Sequence, residues 1–180
     1  MVKKFLILVS FISTLSCKTS IDDLQMQRRP YLGKELRTDG YYYSNIVNQK
    51  YSKYIFIGIF YKNGVCYNLA SRDIGKGENI PELLKNLERE ILLNADYIKS
   101  VCSKGDKIGI FQVNYPTLEM ETLESSVFPT FKHYGEILND STFVLHRTVN
   151  SKKGNVVYEN LTYKFKKFSP KPDSTCVYIK

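Results

Sequence analysis

The sequence predicts a mainly β protein: a β-rich α+β domain of about eight mostly antiparallel strands, with one amphipathic helix after the third. Three observations predict it. The 180 residues include 14 Tyr and 10 Phe but no Trp, and Tyr and Phe favour the pleated, half-buried surface of a strand. Apolar and polar residues alternate with period two in the later chain. Leu118 and Met120 alternate with Glu119 and Glu121, and Leu161, Tyr163 and Phe165 with Thr162, Lys164 and Lys166. Such a pattern gives a sheet one dry face and one wet face. Turn residues such as Asn63-Gly64, Asn139-Asp140 and Gly154 separate these runs at short intervals.

Taken in order, Arg37–Tyr43 is a first strand. Tyr54–Tyr61 is apolar on both faces, with Tyr54, Phe56 and Phe60 on one and Ile55, Ile57 and Ile59 on the other. A strand covered from both sides reads this way. Asn63-Gly64 accepts the positive φ of a tight hairpin, returning the chain as Val65–Ala70. Ser71–Glu78 is a Gly-containing loop. Asn79 then caps a helix, with Glu82 three residues on and Pro81 in the first turn. Ile80, Leu84, Leu87, Ile91, Ala95 and Ile98 form one apolar stripe, which predicts a single helix to Lys99 packed on a sheet. Strands follow at Lys107–Tyr115, Thr117–Thr122, Phe131–Leu138, Thr142–Val149 and Val156–Phe168, and Ser169–Thr175 is an extended tail. Glu119 and Glu121 read as a solvent face. An up-and-down barrel closes such a set of strands. An open, curled sheet with a covering helix is the rival.

Met1–Cys17 reads as an export signal ending in a lipid-attachment cysteine. Lys3 and Lys4 precede the apolar Phe5–Ile12, and Ser13-Thr14-Leu15-Ser16 leads to Cys17. The apolar run is far short of the roughly 20 residues that span a bilayer, as in a cleaved signal. A thiol at the junction is what diacylglycerol transfer requires. Residues 1–16 are therefore read as signal peptide, 17–33 as a polar, flexible tether, and 34–180 as one β-rich domain. The membrane is the expected partner through the lipid, in a cell envelope and most simply an outer membrane, since Lys18 rather than Asp follows Cys17. The 26 Lys and Arg exceed the 18 Asp and Glu for a net +8, with Arg28-Arg29 and Lys164, Lys166 and Lys167 the densest spots. No basic stripe interleaved with aromatics stands out, so nucleic acid is not an expected partner.

The Gly40-Tyr41-Tyr42 start resembles the opening strand of calycin-type barrels, although a helix between strands three and four is not their usual arrangement. The stretch from Tyr134-Gly135-Glu136 to Pro170-Lys171-Pro172-Asp173-Ser174 resembles small Bacteroidota lipoproteins with a lipid-box signal, a Gly-Tyr-Tyr strand and a Pro-Lys-Pro-Asp-Ser tail. That resemblance implies the fold class and an envelope location, and transfers no catalytic residue.

No motif marks an enzyme or a cofactor site. A Gly-x-Ser-x-Gly elbow is missing, and Ile74-Gly75-Lys76-Gly77-Glu78 lacks the remaining residues of a phosphate loop. His133 and His146 flank the Asn139-Asp140 turn. With Glu136 or Asp140 they would make an incomplete metal set, and ordinary strand histidines are the preferred reading, with no metal expected. Cys66, Cys102 and Cys176 remain once Cys17 is assigned, so at most one internal disulfide forms. Cys102–Cys176 is the favoured pair, three free thiols stand level with it, and Cys66–Cys102 is the lesser pairing. Tyr41, Tyr42, Tyr43, Tyr51 and Tyr54 gather near the first strands. Tyr42 and Tyr54 are candidate contacts for a small apolar ligand or a glycan, because an amphipathic ring can stack while its hydroxyl bonds. A non-catalytic envelope domain binding a small ligand, a glycan or a protein partner is the leading expectation. A structural or assembly lipoprotein without a ligand pocket is the alternative.

Overall fold

A computed structural model describes residues 24–49, 52–70, 79–124, 129–176 and 178–179. The signal, Cys17 and the Ser71–Glu78 loop lie outside the described residues. Ten strands and two α-helices are present among them: β1 (Gly40–Ser44), β2 (Val47–Gln49), β3 (Ser52–Tyr54), β4 (Phe56–Phe60), β5 (Val65–Ala70), α1 (Ile80–Leu87), α2 (Ala95–Lys104), β6 (Asp106–Asn114), β7 (Thr117–Glu124), β8 (Thr130–Asn139), β9 (Thr142–Asn150) and β10 (Val156–Lys167). Eight of the strands close an antiparallel barrel in the order β1-β10-β9-β8-β7-β6-β5-β4, with β4 returning to β1 through Tyr42–Gly58 and Tyr43–Ile57. The rival open sheet is thereby excluded. β2 and β3 form a separate hairpin. The predicted Tyr54–Tyr61 strand is thus divided, with Tyr54 in the hairpin and Phe56–Phe60 in the barrel wall.

Alternation sorts the apolar side chains into two cores. Tyr42, Phe60, Cys66, Phe111, Leu118, Met120, Ile137, Phe143, Leu145 and Tyr163 fill the barrel interior together with Tyr31 and Leu36. Tyr41, Ile57, Ile59, Val65, Tyr67, Leu69, Ile108 and Ile110 face outward, beneath Leu83, Leu87, Ile91, Ile98 and Val101 of the helical layer. This is why β4 is apolar on both faces: Phe60 points into the barrel and Ile57 and Ile59 lie under the helices. Gly109 lets the wall curve. A Cβ there would meet the Glu121 carbonyl oxygen of β7 at 2.0 Å, so only glycine permits so close an approach.

The single predicted helix is broken. Asn79 caps α1 as expected, accepting from the Glu82 N–H at 3.0 Å. Glu88–Leu92 then widens into a π turn, closed by the Leu93 N–H on the Glu88 carbonyl. Asn94 restarts the helix as the cap of α2, accepting from the Tyr97 N–H at 3.0 Å. The extra residue of the π turn rotates the stripe so that Ile98 and Val101 still reach the sheet. Tyr41 Oη and Lys166 Nζ both bind Glu88 Oε1, at 2.6 Å each, and fasten the turn to the barrel. Asn94→Ala removes a cap and is expected to cost about 1 kcal/mol, read as a lower urea midpoint at unchanged slope. No loss would mean that α2 is held by packing alone.

Two segments read as loose are docked. Over residues 24–33 the expected tether is a strap along the barrel. The Tyr31 N–H donates to the Lys62 carbonyl at 2.8 Å, and the Met26 N–H to Glu121 Oε2 at 2.7 Å. Leu24 and Met26 pack on the outer core. The strap also corrects the reading of Glu121 as a solvent-face residue: it is fully buried, and Thr130 Oγ1 donates to its other oxygen at 2.8 Å. The tail is clamped through Lys171. Its Nζ donates to the Thr38 and Phe60 carbonyls at 2.7 Å each and lies 3.9 Å from the centre of the Tyr61 ring. Burial pulls this amine down to about 8, against the opposing charge of Asp39. Tyr61 and Tyr67 donate to the Pro172 and Asp173 carbonyls. Both segments lack hydrophobic periodicity because their anchoring is mostly by backbone groups, which sequence does not reveal.

Candidate functional site

The two ends of the barrel differ. One carries the β4–β5, β6–β7 and β8–β9 turns and is plugged. Tyr31 and Leu36 enter the interior there, and the Tyr31 hydroxyl accepts from the Leu36 N–H at 2.6 Å. Tyr42 completes the plug. Its hydroxyl accepts from the Arg37 N–H and donates to the Asp140 carbonyl, while its ring packs against Phe60, Phe143 and Phe165 at 5.1–5.6 Å. Alternation places Tyr42 inward as predicted, but it is fully buried and structural. Tyr54 is likewise buried, edge-on to Phe56 at 5.3 Å. Neither candidate ligand contact meets an open surface.

The other end, called the mouth, carries a polar cluster that is largely buried. Asn68, Thr122, His133 and Thr148 come from β5, β7, β8 and β9, at the inward positions of their strands. His133 Nδ1 lies 2.8 Å from Thr148 Oγ1, and Nε2 lies 3.0 Å from Thr122 Oγ1 and 3.5 Å from Asn68 Nδ2. Burial pulls the His133 pKa down to about 4, so the ring is neutral at physiological pH. The ring bridges the two threonine hydroxyls whichever of its nitrogens carries the proton. One group is left over: Asn68 Oδ1 is buried and has no hydrogen-bond partner among the described residues. Turning the amide over would move the unsatisfied position to the nitrogen without removing it. Phe56 and Leu161 pack on the interior here and are only half-buried.

His146 does not join His133. The register passes from Tyr134–Arg147 to Gly135–Leu145, so His146 sits in a bulge facing solvent, 3.8 Å from Glu136. Leu145 points inward, so His146 beside it points out, and the register shift brings Thr148 rather than His146 opposite His133. Of the cysteines, Cys66 points into the barrel, where burial raises its thiol pKa. Cys102 lies on the opposite side of β5, against Tyr67 Oη at 3.1 Å, so the Cys66–Cys102 alternative is ruled out. Cys102 and Cys176 are neighbours, with Cys176 Sγ donating to the Cys102 carbonyl at 3.3 Å. Two grooves lie outside the barrel. One of about 350 Å³ runs between the strap and Phe111–Tyr115, and one of about 450 Å³ runs between Leu92, Leu93 and Ile98 and the Pro170–Pro172 tail.

The sequence signal for the mouth is parity. Asn68 shares the inward parity of Cys66, and Thr122 that of Leu118 and Met120, so each is a polar residue on an apolar face. The fold and the site define a closed eight-stranded antiparallel barrel with one plugged end and a buried polar cluster towards the mouth end. In comparisons with known proteins, no family model, no curated protein and no solved structure matches the chain.

Proposed function

We propose that this protein is a non-catalytic envelope lipoprotein, held on the outer membrane through Cys17, whose barrel mouth binds a small neutral ligand rich in hydroxyl groups, such as a glycan fragment. The anchor rests on Lys3 and Lys4, the apolar Phe5–Ile12 and the cysteine that follows them. The resemblance to small Bacteroidota lipoproteins points the same way. The single observation carrying the ligand is Asn68 Oδ1. A buried acceptor without a donor is costly, and a ligand hydroxyl would satisfy it. The neutral His133 and the two threonine hydroxyls favour an uncharged partner, and Phe56 and Leu161 offer apolar surface beside it. Aromatic filling of the plugged half argues against a large apolar guest in the interior. It also supports the second reading, a structural lipoprotein with no ligand.

The test is mass spectrometry of the protein extracted in detergent from its native membrane, followed by binding of neutral oligosaccharides of the envelope. The expected outcome is an acylated N-terminal Cys17 and a bound neutral molecule. Asn68→Leu should weaken binding by about 5-fold to 100-fold, the equivalent of one buried hydrogen bond, with folding retained. An N-terminus preceding Cys17 and carrying no lipid would overturn the anchor. Absence of any neutral ligand from wild type would overturn the mouth site and favour the structural reading.

A further inference from the structure

Among the described residues, the β9–β10 hairpin tip, residues 150–158, is the most apolar exposed element at the mouth end. Tyr158 is 81% exposed and Val157 59%, beside the exposed Val156. Lys152 and Lys153 lead into them. Their N–H groups both donate to Asn150 Oδ1, at 3.1 and 2.8 Å, which fixes the turn. Tyr158 stands opposite Arg147 in the β10–β9 register. Glu159 is the nearby acid in sequence, against the cations Lys152, Lys153 and Arg147. Cations on a fixed turn beside exposed Val and Tyr are the pattern of an element that rests at a lipid–water boundary. There the aromatic ring lies at headgroup level and the lysines meet anionic lipid.

The strap places this tip relative to the anchor. From Tyr31 at the plugged end, the chain runs backwards past Gln112, which donates to the Gln27 carbonyl, to Glu121 and Lys132, which bind Met26 and Gln25. Glu121 bonds Thr130, and Thr130 Oγ1 lies 2.7 Å from Ser151 Oγ in the tip itself. The strap therefore runs towards the mouth end, where Met26 is linked through Glu121 and Thr130 to Ser151 of the tip, and Leu24 packs on the outer core. Six residues separate Leu24 from Cys17, and these seven Cα–Cα steps reach at most about 25 Å when fully extended. Only a nearly straight return along the barrel would bring the plugged end to the membrane.

We propose that the β9–β10 tip docks on the anionic lipid surface to which Cys17 is anchored, and that the barrel mouth faces the bilayer. This rests on the anchor reading for its geometry. The occupant is the headgroup layer of an anionic phospholipid bilayer.

The chain has no Trp, so Tyr158→Trp supplies a sole indole, and Tyr115→Trp, at the exposed β6–β7 turn of the plugged end, supplies its control. Each full-length variant is purified from its native membrane and reconstituted into phosphatidylcholine vesicles with or without phosphatidylglycerol, with spin-labelled lipid as quencher. The expected result is quenching and a blue shift in Tyr158→Trp with phosphatidylglycerol present, reversed by salt, and neither in Tyr115→Trp. Lys152→Glu with Lys153→Glu should lower the apparent lipid affinity of the tip about 10-fold or more. Equal quenching at both positions, or none at 158 in a protein whose Cys17 is acylated, overturns the docking while the anchor stands. A blue shift at 158 that depends on protein concentration and not on lipid also overturns it, in favour of a second copy. If the mass of the N-terminal peptide shows no lipid, the anchor fails separately, and mixing the same variants with preformed vesicles decides the tip by the same quenching.

Discussion

Phe143→Ala is expected to destabilise the barrel by about 3–5 kcal/mol, the usual cost of emptying a buried aromatic site. Phe143 is fully buried. It stacks on Tyr163 with centroids 4.6 Å apart and planes 10° from parallel, and it also touches Tyr42 and Phe60. These rings come from β9, β10, β1 and β4, so one truncation removes contacts across the seam where the barrel closes. The neighbours cannot collapse into the void, because the Tyr42 hydroxyl is held between Arg37 and Asp140. Urea unfolding should show a lower midpoint at unchanged slope. Phe143→Leu should retain more than half of the lost stability, because it keeps most of the volume. A loss under about 1 kcal/mol for the alanine variant would show that the interior is loosely filled, and would reopen the interior to an apolar guest.

The second large effect is on pH. His133 titrates near 6.5 in an unfolded chain and near 4 in the fold, because burial disfavours its charged form. Between these values the unfolded state binds a proton that the native state does not, so native stability rises with pH across the window. The contribution is complete above about 6.5 and is lost progressively as pH falls towards 4, reaching roughly 3 kcal/mol. The described partners, Thr122, Thr148 and Asn68, are neutral and do not compensate an imidazolium. Urea midpoints of wild type and His133→Asn, measured from pH 7.5 to 4.5, isolate the effect. The difference between the two should shrink as the pH falls, because only wild type loses the histidine contribution. Carboxylates held low, such as Asp39 beside Arg37, are common to both proteins and cancel in the difference. A constant difference would mean that water reaches the ring and that the mouth lining is not dry.

The strands were legible because each carries its own alternation. Val156–Phe168 declares an inward face in Leu161, Tyr163 and Phe165, and the barrel uses that face. The helix break was not legible. The stripe runs on from Ile91 to Ala95 and Ile98 at helical spacing, and it is the pull of Tyr41 and Lys166 on Glu88, from across the sheet, that accompanies the π turn. Glu121 was misread for a related reason: its own strand alternates cleanly, and the strap that buries it comes from about a hundred residues earlier in the chain. The mouth lay in between. Asn68, Thr122 and His133 could be placed on inward faces by parity, but their meeting required three non-adjacent segments to be brought around one circumference.

Local periodicity settles which residues form strands, which face of each is apolar and where the turns fall, because these depend on neighbours two to four positions away. The number of strands needed for a barrel was therefore written in the chain. Whether the sheet closes depended on Tyr42 and Tyr43 of β1 pairing with Gly58 and Ile57 of β4, a seam that no local pattern encodes. Which end is plugged, which acceptor in the mouth goes without a donor, and which hairpin stands beside the exit of the strap are all consequences of that closure. Each depends on groups far apart in sequence meeting where water is excluded, and there a single unpaired oxygen carries an energy it would lack on an open surface.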